Sequence, residues 1–235
     1  MKGLMNYRCA TRARHKSQCY IQEITRPARD RLQHPCIELS SLPLCAELSE
    51  RGVQMNSYGG KELASAFRTV RKNTIQVAED IPESKYDLVA APDCRSVGQM
   101  LTHIAIATRI WEEVHKNQRV TTLVGFNFLG IVDQFKAEEN KPRSKAEIIE
   151  LLRNEGEQFA SWMETLTPEF LAEIMTDADG KTEKTRFERF LGAKEHEMHH
   201  RAQLMLIERQ LGIVPHITRR SNEQIAQMRA ATAKA

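Results

Sequence analysis

Three of the chain's eight histidines lie within five consecutive positions, at His196, His199 and His200. Because an α-helix turns once in about 3.6 residues, His196 and His200 would lie on one face, one turn apart, close enough to share a metal ion. Neutral imidazole nitrogens are common ligands of divalent metals. The alternative interpretation is that one or two of these histidines are ordinary core or surface residues. The spacing predicts two metal ligands on a helix and leaves the third to be found elsewhere.

Capping and stop signals place these histidines near the middle of a long helix. Thr185 and Glu188 have the spacing of a capping box, which marks a helix start. Gly212 offers a C-terminal stop, and Pro215 lies just beyond it. We therefore predict a helix from about Thr185 to Leu211.

Three other segments show the apolar periodicity of amphipathic helices. Capping-box patterns start two of them, at Ser96 and Ser144. Residues 118–143 form a long connection that contains a short helix or a loop. A turn signal at Asp177–Lys181 separates two short extended arms. The predicted helices span about Lys61–Asp80, Ser96–Lys116 and Ser144–Leu166, followed by a short one at Pro168–Met175.

This order of elements predicts an all-α fold, an up-down four-helix bundle with long crossover connections. The chain of 235 residues is long enough for one good core. Its composition also favours helix, since good helix formers are common while Gly and Pro are sparse. Another all-α packing of the same helices is the alternative.

The net charge of +3 is concentrated in residues 1–54, which hold nine Lys or Arg and five Asp or Glu. Residues 55–235 hold 25 Lys or Arg and 26 Asp or Glu. Because so small a charge gives no electrostatic footprint for phosphates, we expect neither nucleic acid nor an anionic membrane as a partner. We also find no apolar run long enough for a membrane span.

Residues 1–54 differ from the rest of the chain in carrying four of its five cysteines and no sustained periodicity. They are interpreted as a poorly structured extension, as a mitochondrial presequence, or as a spurious segment preceding a natural start at Met55. We expect a bundle domain over residues 55–217 and a polar tail over 218–235. With no apolar signal region near the start, a reduced, cytoplasmic protein is expected.

One way to complete the metal site is the zinc-peptidase signature H-E-x-x-H, which His196 to His200 match, with Glu197 as the general base. Its longer form, with a Gly and a further His, fails because Gln203 and Leu206 occupy those positions. The peptidase is therefore a remote alternative.

The other way takes the third ligand from the second predicted helix, where His103 lies beside the apolar face. Three neutral imidazoles bind Zn²⁺, Ni²⁺ or Fe²⁺ and leave coordination positions open for water or substrate. A lone histidine in that position is more commonly a core residue with a hydrogen-bond partner, and this alternative also stays open.

Two segments resemble signatures of the DinB (damage-inducible, YfiT-like) family. Residues 96–105, SVGQMLTHIA, followed by Trp111, resemble the family's second-helix signature, and residues 196–204, HEMHHRAQL, resemble its fourth-helix signature H-x-x-x-H-R-G-Q-L. Ala202 replaces the usual Gly there, which still permits close helix packing. The resemblance spans residues 58–217. It implies a four-helix bundle, in many members a homodimer, with one divalent ion, Zn or Ni before Fe or Mn, on three histidines: His103, His196 and His200.

Within the resemblance, Gln99 and Gln203 each lie one helical turn from a ligand histidine and are candidate hydrogen-bond partners that orient it. An interhelical hydrogen bond is the alternative for both. His199 is a neighbour that would replace His200 if the helix phase were different. Glu197 and Arg201 are expected to point away from the metal, toward the surface or a dimer interface.

The family resemblance implies a metal-dependent enzyme similar to thiol transferases and related isomerases, and a water at the open metal position would make it a hydrolase instead. A metal-activated thiolate or water would attack a small-molecule substrate, with a low-molecular-weight thiol as one partner. The alternative is a non-catalytic, metal-stabilised stress or interaction protein. A fourth protein ligand, such as Glu195 or His199, would favour that structural role, whereas an open coordination position would favour catalysis.

Overall fold

The computed structural model describes residues 58–233, and helices make up almost all of their regular structure. The prediction of an all-α four-helix bundle is confirmed. The predicted extension at residues 1–54 lies outside the described residues. The elements are α1 Gly60–Asp80, α2 Val97–Ile106, α3 Thr108–Glu112, α4 Phe128–Glu139, α5 Lys145–Glu164, α6 Pro168–Ala172, β1 Ile174–Thr176, β2 Glu183–Thr185, α7 Arg186–Gln210 and α8 His216–Thr232.

Three of the predicted capping boxes form and fix the helix starts. The side-chain oxygens of Ser96, Ser144 and Thr185 each accept a hydrogen bond from the backbone amide three residues later. In each case the Gln or Glu at that third position accepts from the backbone amide of the capping residue. These reciprocal bonds satisfy amides that a helix start leaves free, which explains why the predicted and observed starts agree.

The bundle consists of α1, the nearly continuous segment α2–α3, α5 and α7. Both α1 and α2–α3 pack against α5 and against α7, so α1 and α2–α3 occupy opposite corners. The helix α5 is antiparallel to α1, since Lys145 at its start donates a 2.8 Å hydrogen bond to the carbonyl of Ile81, just after α1. The helix α7 is antiparallel to α2–α3: His103 meets His196, and Trp111 donates to the carbonyl of Arg189.

The second and third bundle helices run in the same direction. Gly98 near the start of α2 lies beside Ile148 near the start of α5, and Arg109 further along bonds Glu155. The chain directions are therefore up, down, down, up. A connection between parallel neighbours has to return along the whole bundle, which explains the long crossover over residues 118–143 and its helix α4.

Aromatic and aliphatic side chains fill the bundle in two main clusters. One contains Phe67, Phe159 and Phe190, all nearly fully buried, and the other contains Leu101 and Leu204 with several isoleucines. Burial of each such side chain stabilises the fold by about 1.5–3 kcal/mol before losses in conformational entropy. The helices are thus held tightly at both ends of the bundle.

Three predicted elements differ in detail. The second helix divides at Ala107 and ends in a π-helical turn at Glu113–Asn117. The short helix predicted to reach Met175 ends at Ala172, because Ile174–Thr176 pairs as a strand with Glu183–Thr185 across the predicted turn. The tail is helical over α8, although most of its side chains are exposed. No helix within residues 58–233 has an apolar stretch long enough to cross a bilayer.

Candidate metal centre

The structure brings His103, His196 and His200 together on the facing sides of α2 and α7. The Nε2 atoms of His103 and His196 are 3.1 Å apart. The ring centre of His200 lies 4.9 Å from that of His103 and 4.6 Å from that of His196. One ligand nitrogen from each ring lies within 4.8 Å of the other two. With Zn–N bonds of about 2.0–2.1 Å in tetrahedral geometry, two nitrogens around one ion lie about 3.4 Å apart, which is close to the 3.1 Å between His103 and His196.

Glu139, at the end of the crossover helix α4, fixes the orientation of the His103 ring. Its Oε1 lies 2.7 Å from His103 Nδ1, and its Oε2 accepts from Arg95 Nε at 2.6 Å. Because a carboxylate only accepts hydrogen bonds, His103 Nδ1 is the donor. The lone pair of His103 therefore lies on Nε2, the nitrogen that faces the other two histidines, as in a ligating imidazole.

Gln203 orients the ring of His200 in the same way, by a hydrogen bond at Nδ1. Its Oε1 accepts a 2.9 Å hydrogen bond from His200 Nδ1, which leaves the Nε2 lone pair of His200 free. Its amide nitrogen donates to Nε2 of His199 at 3.4 Å. His199 is exposed and lies outside the group of three ligand nitrogens.

Gln99, one candidate hydrogen-bond partner of His103, bonds other residues. Its side-chain oxygen accepts from the amide of Ser96 and its amide nitrogen donates to Asn140. Both ends of the side chain are therefore engaged at the start of α2. Glu139 takes the place at His103, and no local sequence pattern indicates it, because it is 36 residues away in the crossover.

Burial keeps the three histidines neutral. It lowers the pKa of His196 to about 3, with further repulsion from His103 and His200. Burial also lowers the pKa of His103, outweighing the opposite effect of Glu139, and lowers the pKa of His200. Because only the neutral imidazole offers a lone pair to a metal, no proton has to be removed for ligation near neutral pH.

Glu197 and Arg201 are buried, and the prediction that they face the surface or a dimer interface is wrong. They are 2% and 8% exposed. Glu197 pairs with Arg71 of α1, and Arg201 donates to the backbone carbonyl of Val70. Both residues point away from the metal centre, as predicted, but they point toward α1 and the core.

A cleft of about 1260 Å³ opens between α3, the crossover segment and α5. Its lining includes Arg109, Phe126 and Glu155, but none of the three histidines. The cleft is therefore separate from the metal centre. Trp111 lies beside the histidines, with its ring centre 6.2 Å from that of His196.

The DinB family model matches residues 54–230 of the chain. The protein belongs to the DinB family. No curated protein is significantly similar to it. This DinB chain is 16% identical to YfiT from Bacillus subtilis over 66% of its own length and 88% of YfiT, with a TM-score of 0.52. YfiT is described as a probable metal-dependent hydrolase with an unusual four-helix bundle topology.

Two further solved structures are similar to this DinB protein. An uncharacterised protein from Clostridium difficile 630 is 17% identical, covering 65% of this chain and 97% of that one, with a TM-score of 0.51. A DinB-like protein from Bacillus subtilis is 22% identical, covering 64% and 92%, with a TM-score of 0.48. At these identities, YfiT and the Clostridium protein support the bundle fold alone.

Proposed function

We propose that this DinB protein is a metal-dependent enzyme that acts on small molecules and holds one divalent ion on His103, His196 and His200. The observation that carries the proposal is the convergence of three imidazoles, of which His103 and His200 donate from Nδ1 to Glu139 and Gln203 and so keep their Nε2 lone pairs free. Zn²⁺ and Ni²⁺ suit three imidazole ligands best, with Fe²⁺ and Mn²⁺ as further options.

The donor set supports catalysis more than a structural metal. Glu195 and His199, the two candidates for a fourth ligand, are exposed, and neither belongs to the ligand group found within residues 58–233. Three protein ligands with an open position are typical of catalytic sites, whereas structural zinc is closed by four. A bound ion would supply Lewis acidity and lower the pKa of a water or thiol at the open position.

Two reaction classes fit this chemistry. The first is transfer of a low-molecular-weight thiol to an electrophilic substrate, which the family resemblance implies. The second is hydrolysis, which the description of YfiT favours. In both, the chain's own contribution is to present oriented, desolvated imidazoles, with Trp111 beside them. A non-catalytic, metal-stabilised interaction protein remains the alternative from another class.

The zinc-peptidase alternative loses its general base in this geometry. Both carboxylate oxygens of Glu197 accept hydrogen bonds from Arg71, in a place that is nearly closed to solvent. A general base has to reach the proton it abstracts. Glu197 would have to abandon a buried ion pair to do so, which is costly.

The partners and the location of the protein follow from the same proposal. We infer a small-molecule substrate, a cytoplasmic location, a homodimer and no nucleic-acid partner. Size-exclusion chromatography with light scattering tests the dimer directly: a mass near that of one chain would contradict it.

The metal site is tested by metal content, measured by plasma mass spectrometry on protein prepared without chelators. We expect about one equivalent in the wild type and almost none in His103→Ala, because two histidines on one helix hold an ion weakly. The matched control is His199→Ala, which removes an adjacent but exposed imidazole and should keep the metal. Metal-free wild type after addition of zinc or nickel would refute the proposal.

Turnover is tested on the metal-loaded protein with two assays, thiol consumption with model electrophiles and hydrolysis of activated esters. Activity that disappears in His103→Ala and persists in His199→Ala would support an enzyme. Full metal loading with no activity in either assay would favour the interaction protein.

A further inference from the structure

We propose that the buried Arg71–Glu197 pair positions the histidines, by setting the separation between α2 and α7 at the metal centre; this rests on the proposed function. Arg71 Nε donates to both carboxylate oxygens of Glu197, at 3.0 and 3.1 Å. A second guanidinium nitrogen, Nη2, lies 3.0 Å from Oε2. The two side chains are only 5% and 2% exposed.

The same guanidinium reaches the helix that carries His103. Arg71 Nη2 donates to the carbonyl oxygen of Ile104 at 3.2 Å. Ile104 directly follows His103 and belongs to the last turn of α2, which is interrupted at Ala107. Carbonyls in a last helical turn lack intrahelical partners. Arg71 therefore satisfies a helix-end carbonyl and ties it to the pair.

The third contact of Arg71 is with α5. Its Nη1 donates to the carbonyl oxygen of Leu152 at 2.7 Å. One turn later, at Gly156, a Cβ atom would lie 2.8 Å from Arg71 Cγ and 3.0 Å from Nη1. Glycine is unfavourable inside a helix. Its presence here leaves the space through which Arg71 passes, so one side chain from α1 contacts all three other bundle helices.

The position of this network explains why it acts on the metal centre. Glu197 directly follows His196, just as Ile104 directly follows His103. A planar guanidinium with fixed donor directions thus holds the residues next to two ligands, whose Nε2 atoms are 3.1 Å apart. An apolar pair of similar volume would fill the space without fixing these directions.

The test separates positioning from stability with the double variant Arg71→Met/Glu197→Met. Replacing a whole buried ion pair with apolar residues is commonly tolerated, whereas removing one partner leaves a buried charge. The matched control is Arg186→Met. Arg186 is also fully buried on α7 and bridges several elements, through Glu173 and the carbonyl of Val120, away from the metal centre.

We expect the double variant to bind Zn²⁺ at least about tenfold more weakly than wild type in competition with a chelator, as for lost contacts that orient ligands. Its Co²⁺ absorption spectrum should also change. Arg186→Met should keep both properties in its folded fraction. A folded double variant with wild-type affinity and spectrum would overturn the proposal.

Metal-free protein gives a second readout that is independent of the proposed function. The imidazole ¹⁵N signals of His103 and His196 should shift in the double variant and stay unchanged in Arg186→Met. If wild type binds no Zn²⁺, the proposed function fails, and unchanged imidazole signals would then overturn the positioning as well. If the double variant does not fold, Gly156→Ala replaces it, because the added methyl group displaces Arg71. Unchanged Zn²⁺ affinity and imidazole signals in Gly156→Ala would overturn the proposal.

Discussion

Glu208 is a fully buried carboxyl near the end of α7. Neither side-chain oxygen has a hydrogen-bond partner among the described residues. Burial raises its pKa from the ordinary 4.5 to about 7, and the nearby carboxylate of Asp80 adds to this effect. Arg219 and Arg209 act in the opposite direction but are too weak to cancel it. The folded state therefore favours the protonated, neutral carboxyl.

The sign of the pH dependence follows from this raised pKa. The folded state binds the proton more tightly than the unfolded chain, so the contribution of Glu208 to stability is fully present below pH 4.5 and is lost as the pH rises through about 7. The difference between the two pKa values corresponds to about 3 kcal/mol. Since water that enters around the carboxylate reduces the penalty, we expect a loss of about 1–3 kcal/mol by pH 8.

The substitution Glu208→Gln keeps the shape of the side chain and removes its titration. The variant should match wild type near pH 4.5 and exceed its free energy of unfolding by about 1–3 kcal/mol near pH 8. Urea denaturation of both proteins across this pH range measures the difference. The other titratable groups are present in both proteins, so their effects on stability cancel. Glu223→Gln, at an exposed position of α8, serves as the control. A Glu208→Gln difference that stays constant with pH would refute the reasoning.

Four further substitutions test the site and the packing. Glu139→Gln should weaken Zn²⁺ binding about 10–100-fold in chelator competition, because the carboxylate no longer orients His103; unchanged affinity would contradict this role. Gly60→Ala should lower the free energy of unfolding by about 1–3 kcal/mol, because the Cβ would lie 2.3 Å from the carbonyl oxygen of Met163. The roomier Gly98→Ala, with 3.4 Å to its nearest atom, should cost less in the same denaturation assay. Phe159→Ala should cost about 3–5 kcal/mol in thermal or denaturant unfolding, and a cost under about 1 kcal/mol would contradict its place in the core.

The helices could be predicted because their limits depend on local chemistry. A capping box involves residues only three positions apart, so Ser96, Ser144 and Thr185 mark their helix starts in the sequence itself. The end of the short helix at Ala172 depends instead on the pairing of Ile174–Thr176 with Glu183–Thr185 across the predicted turn. The turn signal indicates the two extended arms, but it does not show where the helix gives way to the strand, because strand pairing competes with helix propensity.

Helix patterns alone do not show which helices of the predicted up-down bundle run parallel to each other. An amphipathic stripe shows which face of a helix is buried, but it does not show whether the neighbouring helix runs parallel or antiparallel to it. The crossover over residues 118–143 is long enough to join either parallel or antiparallel helices. Glu139 escaped prediction for the same reason: it reaches His103 only because the parallel arrangement returns the crossover helix α4 along α2.

The error over Glu197 shows where helix periodicity stops being informative. Glu197 is about 100° around the helix from His196, so its direction away from the metal was correctly predicted. A bundle helix, however, has two inner neighbours, and α7 contacts α1 on that side. The side of α7 that points away from the metal therefore faces Arg71 and the core. The same glutamate that completes the H-E-x-x-H match is thereby engaged in packing the bundle, which is why the five-residue motif does not identify a peptidase here.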